Sequence, residues 1–202
     1  MTVPSTHAIV NVGYRSTNYW VVGPAKSRLL VDIGWPGTLG MFKATLKRMS
    51  VSVSEIRYAL ATHYHIDHAG LAEEIKREGV SLLVIDVQSP AIPTMKRWTK
   101  PADNYIDITD AGNVTISVGE SRPLLAQLGL SGQILHTPGH TEDSVSLLLD
   151  DGSVFTGDLP AKEFCWDNPR ALESWRLLRE SGATRVYPAH GPARYVESEV
   201  PG

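Results

Sequence analysis

The sequence predicts an α/β fold in which two β-sheets pack face to face with helices on the outer faces. Apolar runs of strand length fall in two clusters along the chain, and each cluster is followed by amphipathic helices. The chemically conspicuous residues also sit where strands stop, so that one rim of the sandwich can gather them. Residues 1–202 read as one domain, since the length suits one well-buried core and no repeat, low-complexity segment or linker interrupts it.

Residues 7–34 read as three short strands, 7–12, 18–22 and 28–32, separated by Asn11, Gly13, Gly23 and Pro24. Asp32-Ile33-Gly34-Trp35-Pro36-Gly37 breaks that pattern. Leu39, Phe42, Leu46 and Met49 then recur at helical spacing over 38–49. A strand over 57–62 runs straight into a histidine-rich segment. The helix expected next, 68–78, turns Leu71 and Ile75 inward and Glu73, Glu74, Lys76 and Arg77 outward, and stops at Gly79. Residues 81–85 have the length of a buried strand. Pro90, Pro93 and Pro101 make 90–110 irregular, a helix fragment and loop over one face. Strands return over 113–118, 132–137, 144–149 and 153–156, the last two joined by the turn signal Asp150-Asp151-Gly152. Asn168 and Pro169 open the final helix as N-cap and first helical residue, and Gly182 ends it. A last short strand, 185–187, leads into Pro188-Ala189-His190-Gly191.

Composition narrows the function classes. A formal net charge of -3 and the absence of a basic run give no electrostatic case for nucleic acid or an anionic membrane surface. No apolar stretch approaches the roughly 18–20 residues needed to cross a bilayer. The single cysteine, Cys165, cannot staple the fold, and no secretion leader is visible at the N-terminus. A soluble cytoplasmic protein acting on a small molecule is therefore expected, and no oligomeric state is indicated.

The strongest chemical signal is His63-Tyr64-His65-Ile66-Asp67-His68, which holds three of the seven histidines around an aspartate. In extended backbone, residues two apart point the same way, so His63 and His65 can bind one metal together. Asp67 and His68 enter the following helix, and their side chains can diverge towards a second metal. Imidazole and carboxylate suit Zn²⁺, and also Mn²⁺ or Fe²⁺. Three further candidates lie at strand ends: His140 in Thr137-Pro138-Gly139-His140-Thr141, Asp158 after Thr156-Gly157, and His190 after Pro188-Ala189.

With Asp32 in Val31-Asp32-Ile33-Gly34, these residues resemble the full ordered signature of the metallo-β-lactamase superfamily, from about residue 7 to about residue 192. The resemblance implies a four-layer αββα sandwich of two mixed sheets with helices outside, and a dinuclear site along one edge. It implies that His63, His65 and His140 hold a first metal and Asp67, His68 and His190 a second, with Asp158 bridging. Two divalent ions are the implied cofactors, Zn²⁺ first, with Fe or Mn as the other choices. Asp158 stands where the main β-lactamase classes carry cysteine or serine, which resembles the glyoxalase II and lactonase-like branch. His-x-His in place of His-x-Glu departs from the flavodiiron oxygen reductases. The implied activity is cleavage of an ester, thioester or lactone by a metal-bridging hydroxide. Asp158 and Asp67 are its catalytic carboxylates, Asp67 also carrying a proton to the leaving group. Asp32 is expected outside the direct ligands, fixing a ligand imidazole or the motif loop.

Competing readings are β-lactam hydrolysis, a mononuclear-iron sulfur dioxygenase, RNA phosphodiester cleavage, and a catalytically silent metal-binding protein. Asp158 and the lack of a leader weigh against the first, and the lack of a basic surface against RNA cleavage. Completeness of the ligand set weighs against a silent protein. Only twelve residues follow His190, without the helical region that glyoxalase II-type enzymes append, which weighs against a strict hydroxyacylglutathione hydrolase and leaves the broader reaction class intact. Trp35, Trp98 and Trp166 fall in loops that can rim the site and offer an aromatic pocket to an apolar or acyl group. Lys96, Arg97 and Lys100 either meet an anionic substrate or form a solvated face. Tyr64, flanked by two ligands but pointing the other way, reads as packing, as does Cys165. His136 reads as structural, and His7 is placed in the first strand.

Overall fold

The computed structural model describes residues 8–161 and 164–196. Successive side chains along a strand point to opposite faces, and here the two faces lead to different apolar layers. In β2 (Trp20–Gly23) and β3 (Arg28–Val31), Val21 and Leu30 face outward to the helices, while Val22 and Leu29 face inward to the other sheet. β4 (Ile56–Leu60) and β5 (Ser81–Ile85) divide the same way, Ala59 and Leu82 outward and Leu60 and Leu83 inward. With β1 (Ala8–Asn11) and β6 (Asn113–Ile116) they form a six-stranded sheet in the order β1-β2-β3-β4-β5-β6. β1 to β3 are antiparallel and β3 to β6 parallel, so the sheet is mixed.

The second sheet contains β7 (Gly132–His136), β8 (Val145–Leu149), β9 (Ser153–Gly157), β10 (Arg185–Pro188) and β11 (Arg194–Tyr195). Its order is β11-β10-β9-β8-β7, with one parallel pairing, β9 to β10, among antiparallel ones. Ile134, Leu147 and Phe155 meet the inward residues of the first sheet. Leu148 and Val154 face out to Trp175 and Leu178 of α5 (Pro169–Glu180). Phe42 and Leu46 of α1 (Leu39–Arg48), with Ala69 of α2 (Ile66–Ala69) and Ile75 of α3 (Ala72–Lys76), cover the other outer face. Four layers result, αββα. Each fully buried aliphatic side chain in the three apolar interfaces contributes about 1.5–3 kcal/mol.

Several expectations need correction. The first strand is described from Ala8, and the expectation for His7 lies outside the described residues. Met49, expected in the buried stripe of α1, is exposed at the C-cap. The helix expected over 68–78 is two helices, because Ile33 and Gly34 donate to the His68 carbonyl at 2.6 and 3.2 Å. Gly70 lies at the break, where a Cβ would stand 2.4 Å from Pro36 Cδ. Glu73 and Lys76 are not simply solvated: both bind Thr109 and hold the irregular segment to α3. That segment contains 3-10 turns at Ile92–Trp98 and Pro101–Asp103, in keeping with its prolines. An unanticipated helix, α4 (Ser121–Gln127), sends Leu125 into the layer between the sheets. It is only seven residues long and carries Pro123, so it lacks the periodicity that exposes a helix in sequence. The terminal β11, two residues long, is likewise too short to show in the sequence pattern.

Phe155 is fully buried between the sheets, stacked on Tyr187 at 5.0 Å and edge-on to Trp20 at 6.1 Å. Phe155→Ala should therefore lower the unfolding free energy by about 3–5 kcal/mol, measured by urea titration. A loss below about 1 kcal/mol would mean that this layer does not hold the sheets together.

Candidate metal centre

The site is built from the ends of strands in both sheets and from α2. β3 stops at Asp32, which takes a left-handed backbone (φ 61°) that aspartate tolerates better than most residues. Its buried carboxylate cannot stay unpaired at such depth. Oδ1 accepts from the Thr62 N–H and Oγ–H, both at 2.8 Å, and Oδ2 lies 3.1 Å from His68 Nδ1. One side chain thus joins the ends of β3 and β4 to α2, and aims His68 Nε2 into the site.

His63 and His65 follow β4 and share a side, their ring centroids 4.5 Å apart. Tyr64 points the other way and is buried among the outer apolar residues, so it packs as expected. Burial and a neighbouring Asp143 carboxylate push its phenol pKa far up. The motif loop is held by residues that the sequence does not single out. Asp143 accepts from the Tyr64 N–H at 2.9 Å, and the fully buried Gln88 amide donates to the Ala61 carbonyl at 3.0 Å. Gln88 carries no signal of this part in its neighbourhood, because the carbonyls its amide donates to lie more than twenty positions away.

His140 stands on the loop between β7 and β8, and α5 fixes that loop. Asn168 caps the helix by accepting from the Ala171 N–H at 3.0 Å while its amide donates to the Gly139 carbonyl at 2.7 Å. Ser174 Oγ donates to the Pro138 carbonyl at 2.6 Å. A Cβ on Gly139 would lie 2.8 Å from Ala171 Cα, so only glycine lets the loop seat on the helix. His136 spans the loop through Nε2 to the Glu142 carbonyl at 2.7 Å, the structural part expected of it.

Asp158 leaves β9 just after Gly157, whose positive φ of 56° and contact with Thr62 admit no side chain. His190 leaves β10, and its Nδ1 bonds the Ser16 carbonyl at 2.7 Å. The turn between β1 and β2 also supplies Thr17, whose hydroxyl donates to Asp67 Oδ2 at 3.1 Å. Asn18 pins this turn to the far sheet by donating to the Pro188 and Gly191 carbonyls at 3.0 and 2.8 Å. In sequence, Thr17 and Asn18 read only as turn and strand residues.

Seven side chains converge as a result. The ligand atoms of His63, His65 and His140 lie within 4.8 Å of one another, as do those of Asp67, His68 and His190, and those of His63, His68 and Asp158. Asp158 reaches across: Oδ2 is 3.3 Å from His68 Nε2 and 3.6 Å from His140 Nε2, and Oδ1 is 3.3 Å from His190 Nε2. His63 Nε2 is buried and has no hydrogen-bond partner, and His140 Nε2 faces His65 Nδ1 at 3.1 Å. Imidazole nitrogens crowded against each other and against carboxylates fit cations in their midst, so the donor set suits divalent metal.

Electrostatics favours the metal-binding forms of His63, His140 and Asp158 and opposes that of His68, whose imidazole the neighbouring carboxylates hold protonated. Burial, reinforced by the nearby His68 and His140, holds the His63 pKa well below the ordinary value, and His140 is lowered chiefly by burial. Burial also pulls His68 down, but the Asp32 and Asp158 carboxylates outweigh it and raise its pKa well above the ordinary value. Asp158 shows the opposite balance: burial pushes its pKa up, while His68, His190 and His140 bring it below the usual carboxylate range.

Residues 12–190 match the model of the metallo-β-lactamase superfamily. The chain belongs to that superfamily. Among superfamily relatives, a β-lactamase-like protein 2 homolog of Caenorhabditis elegans is 29% identical over 88% of this chain and 57% of its own length. An atrochrysone carboxyl ACP thioesterase of Aspergillus terreus is 25% identical over 88% of this chain and 50% of its own. The chain thus spans about half the length of the relatives it matches. A metallo-β-lactamase family protein from Thermus thermophilus shares the fold at a TM-score of 0.73 and 17% identity, covering 98% of this chain and 78% of that one.

Of the remaining candidates, Trp98 is 64% exposed and stands edge-on to His65 at 6.0 Å, on the rim of the candidate centre. Trp35 is half-buried beneath the Arg15 guanidinium, and Trp166 is exposed on the loop between Asp158 and α5. Lys96 is paired with Asp107 at 2.7 Å and, with Lys100, lines a surface hollow of about 390 Å³ in which no metal-site residue takes part. Cys165 is buried in the layer under α5. No helix among the described residues is long and apolar enough to cross a membrane.

Asp32→Asn keeps a side chain that tolerates the left-handed backbone and removes only the charge. It should weaken metal binding about 10–100-fold in chelator competition. An unchanged affinity would reduce Asp32 to a strand-ending residue.

Proposed function

We propose that the protein is a dinuclear-metal hydrolase that cleaves an ester, thioester or lactone of a small molecule. The observation that carries this reading is the Asp158 carboxylate, set between two groups of ligands and within 3.6 Å of three histidine nitrogens. His63, His65 and His140 would hold one ion, and Asp67, His68 and His190 the other, with Asp158 shared. Two divalent ions bound there supply Lewis acidity, lowering the pKa of water from about 15.7 towards 7 and polarising a carbonyl. Zn²⁺ suits this mixture of imidazole and carboxylate.

The protein's own groups do the rest. Thr17 holds Asp67 Oδ2 in place at 3.1 Å, leaving that carboxylate positioned to accept a proton and return it to the leaving oxygen or sulfur. The Ser16 carbonyl fixes the His190 ring, and Asp32 fixes the His68 ring. Trp98, open to solvent beside His65, offers an apolar wall to the acyl portion of the substrate. A relative bearing the name of an ACP thioesterase supports the thioester arm of this reading. A net charge of -3 speaks for a small molecule over nucleic acid.

Asp158→Ala should lower occupancy of both metals and abolish hydrolysis across a panel of esters, thioesters, lactones and lactams, while His190→Ala should mainly release one metal. Elemental analysis beside the panel reads both effects; two metals and full activity in Asp158→Ala would overturn the bridging role. Trp98→Ala should raise KM for apolar acyl substrates roughly two- to tenfold with little change in kcat. An equal effect on acetyl substrates would remove Trp98 from substrate contact.

A further inference from the structure

Resting on the hydrolase reading, we infer that Arg15 is a specificity-determining residue that receives an oxyanion of the substrate, a carboxylate or a phosphate, beside the second ligand group. Four features of the turn between β1 and β2 meet at this residue. Tyr14 and Thr17 pair across the turn, leaving Arg15 and Ser16 as its tip. Arg15 takes a positive φ of 58°, a backbone that glycine or asparagine occupies at less cost, so the turn itself gives no reason for arginine. Its guanidinium lies over two aromatic rings, 5.3 Å from the Tyr14 centroid and 5.5 Å from the Trp35 centroid. Cation–π contact of this kind holds the charge in place without neutralising it. Among the described residues no carboxylate lies within ion-pair distance of Arg15, although the chain carries 22 acidic residues and pairs several other arginines.

The turn that carries this charge is anchored to the metal site. Ser16, the next residue, bonds His190 through its carbonyl, and Thr17 bonds Asp67. The second aromatic support, Trp35, follows directly on Ile33 and Gly34, whose N–H groups hold the His68 carbonyl. Turn and support are both anchored to residues of one ligand group, Asp67, His68 and His190. Trp98 flanks His65, of the other group. On this inference the mouth is polarised, with the Trp98 ring beside one ligand group and the Arg15 guanidinium on the side of the other. A substrate that is apolar on its acyl side and anionic on its leaving side fits that arrangement. An arginine fork suits carboxylate and phosphate alike.

The test uses full-length, zinc-loaded protein and three aryl acetates: 4-carboxyphenyl acetate, 4-acetoxyphenyl phosphate, and the methyl ester of the first as a neutral control. Arg15→Ala should lower kcat/KM for at least one anionic acetate tenfold or more, mainly through KM, and leave the neutral one within about twofold. Arg15→Lys should recover part of the loss, since it restores charge but not the fork. The anion that loses more identifies the carboxylate or phosphate source. Equal losses on charged and neutral acetates, or no loss at all, would overturn the inference. If the wild-type protein turns over none of them, the hydrolase reading is in question but the arginine is still tested, by calorimetric titration with succinate and monomethyl succinate. A tenfold weaker affinity of Arg15→Ala for succinate alone supports the oxyanion site, and unchanged affinity refutes it.

Discussion

A buried carboxylate must find partners, and the partners that Asp32 finds determine where the centre stands. Its oxygens join Thr62, at the end of β4, to His68, in the first turn of α2. Burying a lone anion would cost several kcal/mol, so the two strand ends and the helix are locked into one arrangement. From that lock the rest follows. Thr62 fits against Gly157, which delivers Asp158, and the Thr62 carbonyl accepts from the Val145 N–H at 2.8 Å, tying the first sheet to β8 beyond the His140 loop.

The arrangement also explains why a dense group of histidines is tolerated. Seven polar side chains brought together with few hydrogen bonds of their own would be a net cost to the fold. Here three of the rings have one nitrogen committed to the scaffold: His68 to Asp32, His190 to Ser16, and His63 near Thr62 Oγ1 at 3.3 Å. The opposite nitrogens face a common space. Orientation of the ligands is thus set in advance by the backbone and by the side chains behind them, and it need not be supplied by whatever binds there.

Much of this was legible in the sequence because it rested on local pattern. Apolar runs of strand length between turn residues marked the strands, Asn168-Pro169 and Gly182 marked α5, and ligand residues followed strand ends in order along the chain. What escaped were contacts between distant residues of ordinary type. Gln88, Asn18 and Asp143 are unexceptional in their own neighbourhoods and acquire their parts only when the two sheets meet. The split between α2 and α3 escaped for the same reason: the N–H groups that claim the His68 carbonyl come from Ile33 and Gly34, thirty-odd positions earlier. The helical periodicity of 68–78 was real but was overruled by that tertiary claim. Arg15 escaped because a single arginine in a turn carries no pattern at all.

The stitching of the β1–β2 turn to the far sheet through Asn18 has a thermodynamic corollary. Asp67 and His68 enter the site from the first sheet, and His190 from the second, so a cation bound by all three is bound only while the sheets are docked. Such a ligand recognises the native assembly and not the unfolded chain, and at about a hundredfold excess over its Kd it adds about 2.7 kcal/mol to stability. A centre so filled is a clasp between the two sheets. Metal supply and the integrity of the sandwich become linked variables, each able to report on the other.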